Sequence, residues 1–153
     1  MASSITSKTM TVTIVEDLTL GTNDQGNRTQ FKIQGIGEVS KRVLTVPTHQ
    51  VSVLALSSSA GAGTFASGSL KYARITNLDN ANSVRMTFMS SSGGVTKNKA
   101  VFKLEPLRTF IICSDAYSGS AVGDSFGAYQ SFTDLKMKSS GSACDVEIYV
   151  AST

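Results

Sequence analysis

The chain has 153 residues, 14 Lys and Arg against 11 Asp and Glu for a net charge of +3, and a composition 41% hydrophobic and 16% charged. That length suits one domain, which buries about 68–70% of its unfolded surface and needs no disulfide or metal staple. The composition excludes a disordered chain, which would be more charged and less apolar, and the cations, scattered singly apart from Lys41-Arg42, form no stripe in the sequence of the kind phosphate backbones demand.

Residues 1–8 read as a flexible polar arm and 9–153 as a single β-domain. Met1 to Lys8 has no apolar core of signal-peptide length, and no later run approaches a membrane span, so the expected site of synthesis is the cytosol without an amino-terminal export signal. From Thr9 the alternation is strict: Met10, Val12 and Ile14 take one face and Thr9, Thr11 and Thr13 the other, a β-branched strand running to about Leu20. The Gly, Asn and Asp cluster from Gly21 to Asn27 turns the chain into a strand carrying Phe31 and Ile33, interrupted at Gly35 and Gly37. Val39 to Val46 is a further extended run, stopped by Pro47, which has no N–H to donate. Gln50 to Ser57 is apolar enough to be buried on both sides, and the small residues from Ser57 to Ser69 form a loop.

Leu70 to Ser90 is the clearest stretch. Ala73 and Ile75 oppose Tyr72, Arg74 and Thr76, while Val84, Met86 and Phe88 alternate with Ser83, Arg85 and Thr87. Between these halves Asn77 to Asn82 offers side chains that hydrogen-bond their own backbone, so a hairpin is the expected connection. Ala100, Phe102 and Leu104 lead to a turn with Pro106 at its second position, then to Thr109–Cys113, a second expected hairpin. Leu135 and Met137, and finally Val146, Ile148 and Val150, mark two more core strands. Nine or ten short strands without a helical period predict an all-β, single-domain antiparallel β-sandwich.

Chemistry is sparse. His49 is the sole histidine, next to Pro47 and Thr48, and no nucleophile elbow accompanies it, so no catalytic residues are assigned. One histidine and two cysteines are too few for a usual zinc or iron site, and no metal or cofactor is expected. Gly61-Ala62-Gly63 lacks the Lys-Ser/Thr of a phosphate loop, Asp79, Asp115 and Asp124 start no calcium loop, and Asn27-Arg28-Thr29 is a chance glycosylation sequon. Cys113 and Cys144 sit on two strand-like segments; they are bridged only if those strands are neighbours, and a reducing cytosol favours free thiols. The Gly- and Ser-rich loop from Ser114 to Ser131 carries Tyr117, Phe126 and Tyr129, which make it the candidate partner-contact loop. The competing reading, that Phe126 and Tyr129 plug the end of the sandwich, is favoured by the cost of leaving rings in water.

At YARITNLDNANSVRMTF, followed by KLEPLRTFIICSD, the chain resembles small structural proteins of tailed bacteriophages, in which an Ile-Thr-Asn element precedes an apolar strand and a "leucine, x, proline" turn. The likeness covers roughly Lys71 to Ser114 and, more loosely, Cys144 to Ala151. It implies a jelly-roll-like sandwich and a non-enzymatic virion protein, above all a capsid decoration or cement protein that stabilises an assembled shell by binding it. It also implies capsid or tail subunits as partners, a homo-oligomer such as a trimer, and no specific nucleic acid or membrane. The alternative is a carbohydrate- or receptor-binding module of a tail or fibre using the aromatic loop, which the absence of Trp weakens; an enzyme is the weakest reading.

Overall fold

The alternating segments all become strands. The computed structural model describes residues 6–57, 64–66, 69–92, 95–113, 118–119, 127–128 and 132–153, and these contain no helix. In chain order they form β1 (Lys8–Glu16), β2 (Thr19–Leu20), β3 (Asn23–Asp24), β4 (Asn27–Ile36) and β5 (Glu38–Val46). There follow β6 (Val51–Ser57), β7 (Thr64–Ala66), β8 (Leu70–Asn77), β9 (Val84–Ser92), β10 (Val95–Leu104) and β11 (Thr109–Cys113). The short β12 (Ser118–Gly119) and β13 (Gly127–Ala128) pair with each other, and β14 (Phe132–Ser139) and β15 (Cys144–Ser152) complete the chain.

Two sheets make the sandwich, one ordered β11-β8-β15-β5 and the other β10-β9-β14-β6-β7. All these pairs are antiparallel except β6 with the appended β7. The chain crosses from one sheet to the other at β5 to β6, β7 to β8, β8 to β9, β10 to β11, β11 to β14 and β14 to β15, so four strands from each sheet form a jelly roll. The two expected hairpins, at Asn77–Asn82 and at Pro106, are therefore corners between the sheets, because the strands on either side of each turn cover the core from opposite faces. The period of two drives this arrangement, because each strand has one oily face and only a second sheet can cover it. Val46, Ile75, Val84, Met86, Met137, Val146 and Ile148 meet in the interior. β6 manages burial on both sides through a register shift opposite Leu135 and Lys136, which lets the adjacent Val53 and Leu54 both leave solvent. At the open β10 and β11 edge, Phe88, Phe102 and Phe110 form an aromatic cluster with ring centroids 5.2 to 6.2 Å apart.

The first strands do not join this core. β1 pairs only with β4, and β2 only with β3, so residues 8–36 form a separate two-stranded ribbon. The apolar faces of β1 and β4 are satisfied instead by the outer surface of the four-stranded sheet, where Met10, Val12, Phe31, Ile33 and Ile36 pack with Tyr72 and Ala151. The cysteines are both free. Cys113 lies opposite Tyr72, itself opposite Ala151, whereas Cys144 lies at the other end of β15, so about 20 Å of strand separates them, against the 7 Å limit for a disulfide.

One end of the sandwich is locked by Asn77, which is fully buried. Its Nδ2 donates to the carbonyls of Asn82 at 2.8 Å and Glu105 at 3.2 Å, and its Oδ1 accepts from the N–H of Asp79 at 3.1 Å. The Ile-Thr-Asn element and the Leu104-Glu105-Pro106 turn are therefore tied together by one amide. Replacing Asn77 by Ala removes the donor shared by the Asn82 and Glu105 carbonyls and is expected to destabilise the fold by about 1–3 kcal/mol in urea unfolding. Next to it, Arg108 N–H bonds the Glu105 carbonyl and Leu107 holds φ at 56°, the position of a type II turn that favours Gly or Asn. Leu107→Gly relieves that conformation and is expected to raise stability by about 0.5–1 kcal/mol, read from the same titration.

Candidate interaction surfaces

The ribbon is built to stand out from the body. Its base is fixed by the pairs Met10 with Ile33 and Val12 with Phe31, whose side chains face the sheet. Tyr72 and Tyr149 receive it as an edge-on pair 5.9 Å apart, and the Tyr149 hydroxyl lies 4.0 Å from the Met10 sulfur. Beside them the Arg74 guanidinium sits 5.8 Å from the Tyr149 ring centre and pairs with Glu147, which also holds Lys41 at 3.0 Å. A cavity of 270 Å³ remains between ribbon and sheet, lined by Met10, Val12, Tyr72, Arg74 and Tyr149. Burial pushes the Tyr72 hydroxyl up, and the Lys41 hydrogen bond, followed by Arg74, holds the Glu147 carboxyl below the usual range.

Beyond Ile14 the ribbon has no support from the body, since every residue from 15 to 30 is exposed. Its far end is nonetheless shaped. Gly21, at φ 65°, and Thr22 form a two-residue turn between β2 and β3. The Gln25 N–H bonds the Leu18 carbonyl at 2.8 Å, the Gly26 N–H bonds Asp24 Oδ1 at 2.8 Å, and a Cβ at Gly26 would lie 2.9 Å from the Glu16 carbonyl oxygen. This end displays Val15, Leu18 and Leu20 at 67%, 50% and 60% exposure, together with Glu16, Asp17 and Asp24 against one cation, Arg28.

A second surface lies on the outer face of the other sheet. There the register sets Lys138 opposite Arg85 and Arg85 opposite Lys103, three cations in one row across three strands. Like charges directly opposite are destabilising in a sheet. Only Lys103 has an ion pair among the described residues, with Glu105 at 2.7 Å. The row borders a groove of 440 Å³ whose walls include Val101, Phe102 and Ser139. Val101 and Phe102 are 46% and 43% exposed. Ser139 Oγ is buried without a hydrogen-bond partner, as is Thr87 Oγ1 on the neighbouring strand.

Tyr117, Phe126 and Tyr129 lie outside the described residues, as do Asp115, Asp124 and Gly61-Ala62-Gly63. His49 is exposed in the bend after Pro47. Asp79 is a turn aspartate, its Oδ1 accepting the N–H groups of Asn82 at 2.6 Å and Ala81 at 2.7 Å, which lowers its pKa. No cluster of three or more metal-ligating side chains occurs among the described residues. The two surfaces that do emerge depend on sheet register and on which elements the core leaves out, and neither is written in any local motif.

No family model matches the chain, and no curated protein does. Among solved structures it is similar to one from work on Bacillus endospore appendages, described as forming a novel family of disulfide-linked pili, at 8% identity and a TM-score of 0.45, over 100% of this chain and 96% of that one.

Glu147 and Asp79 both have folded-state pKa values below their unfolded ones, so their contribution to stability is present above about pH 4.5 and is lost as pH falls through the folded values. Denaturant midpoints measured from pH 6 down to 2 should therefore fall on acidification, and Glu147→Gln should make that fall shallower while lowering the midpoint at neutral pH.

Proposed function

We propose that this protein is a non-enzymatic structural subunit of a virion, of the capsid decoration class, which stabilises an assembled shell by binding it. The observation that carries the reading is the ribbon. A two-stranded hairpin is marginal in water by itself, yet this one extends up to about 30 Å from its anchored base at Val12 and Phe31 to Gly21. It ends in a preformed knuckle bearing aliphatic side chains that contribute nothing to the chain's own core. Such a projection is of use to a protein that reaches a neighbour and grips it. The jelly-roll body gives it a stiff mount, and the resemblance of the Ile-Thr-Asn and Leu-x-Pro segments to phage structural proteins supplies the kind of particle.

The test is co-sedimentation with purified phage shells stripped of accessory proteins. The wild-type chain is expected to band with the shells at a fixed ratio and to raise the temperature at which they rupture. The triple variant Val15→Ser, Leu18→Ser, Leu20→Ser, changed only at exposed positions, is expected to fold normally and bind at least about tenfold more weakly. Shells that take up no wild-type protein, or that bind the variant equally well, contradict the proposal.

A further inference from the structure

The knuckle and the cationic groove are complementary in sign, in apolar content and in place. One offers Glu16, Asp17 and Asp24 around Val15, Leu18 and Leu20; the other offers Arg85, Lys103 and Lys138 beside Val101 and Phe102. We propose that the ribbon of one copy of this chain docks its acidic knuckle into the cationic groove of a second copy. The contact rests on the reading of the ribbon as the gripping element, and it names the neighbour.

The two surfaces cannot meet within one molecule. The ribbon is seated on the outer face of the four-stranded sheet, through Tyr72 and Ala151, while the groove opens on the outer face of the opposite sheet, with the whole core between them. Because knuckle and groove are different patches, the contact is heterologous, each copy giving its ribbon to one neighbour and receiving the ribbon of another; it closes into a ring or continues as a filament according to the rotation between copies. The row Lys138, Arg85, Lys103 supports an anionic occupant. It places like charges side by side at a cost to the isolated fold, and carboxylates arriving from outside remove that repulsion. An acidic segment with aliphatic side chains fits better than a phosphate backbone, since Val101, 46% exposed, then finds an apolar partner.

Sedimentation velocity with a charge swap tests the contact. The wild type is expected to associate at low ionic strength and to return to the 16.1 kDa monomer in about 1 M salt, where screening reaches within about 3 Å. The groove variant Arg85→Glu/Lys138→Glu and the knuckle variant Glu16→Lys/Asp17→Lys should each weaken association at least about tenfold when alone. Mixed together they should associate again in equal proportion, because each supplies the charge that the other now needs. A cooperative thermal melt of the groove variant, with a midpoint close to that of the wild type, shows that it folds. A wild type that is monomeric at every salt concentration, or a mixture of variants that stays monomeric, overturns the proposal. So does capture of fluorescein-labelled oligothymidylate by the groove without self-association, which would make the occupant a nucleic acid. If the chain stays monomeric in solution and yet coats shells through its ribbon, the copy-to-copy contact fails while the decoration reading stands; if it self-associates and ignores shells, the reverse holds.

Discussion

The four-stranded sheet has to be covered on both faces, and most of the architecture follows from that requirement. Its central strand, β15, carries Val146, Ile148 and Val150 inward and Tyr149 and Ala151 outward, and both sets are apolar. The second sheet covers the first set, as in any sandwich. The second set needs another cover, and the base of the β1 and β4 ribbon provides it. The outer face is therefore a platform, with Tyr72 and Tyr149 as its floor and the Lys41, Glu147 and Arg74 cluster as its polar rim. Once the base is held there by Met10, Val12, Phe31 and Ile33, the remaining half of the ribbon has nowhere to lie and extends into solvent.

This arrangement separates the tasks of folding and contact. The core, the Asn77 lock and the platform keep the mount stiff, so the knuckle has a defined position relative to the body. The knuckle and the cationic row sit outside that machinery. Both are locally unfavourable for an isolated chain: aliphatic side chains in water at one, facing like charges at the other. Features that weaken the monomer at exposed positions are well placed to gain from a partner, which is the energetic basis of the proposed role in assembly.

Much of the fold was legible from the sequence because a strand with one wet face announces itself by the period of two. Val84, Met86 and Phe88, and Val146, Ile148 and Val150, point inward as their spacing predicts, and the Leu104-Glu105-Pro106 turn places Pro106 where expected. What local patterning does not reveal is which sheet face a strand covers. Met10, Val12 and Ile14 alternate as strictly as any core strand, yet they serve the outside of a sheet, because alternation records that one face is shielded and not by what. The cationic row was hidden for a related reason: Arg85, Lys103 and Lys138 are far apart in sequence and become neighbours only through strand register. The buried role of Asn77 was equally silent, since an Asn before Leu-Asp-Asn reads as one more turn residue until its amide is seen to reach Glu105.

The central claim is that the anchored ribbon is the contact element of this protein, and backbone hydrogen exchange measures it most directly. In the free chain, amides of β1 and β4 near Val12 and Phe31 should be protected while those of residues 15–28 exchange quickly. On assembly, whether onto a shell or with other copies, the protection at residues 15–28 should rise to the level of the base. Exchange at those residues that stays as fast in the assembled state as in the free chain would contradict the account.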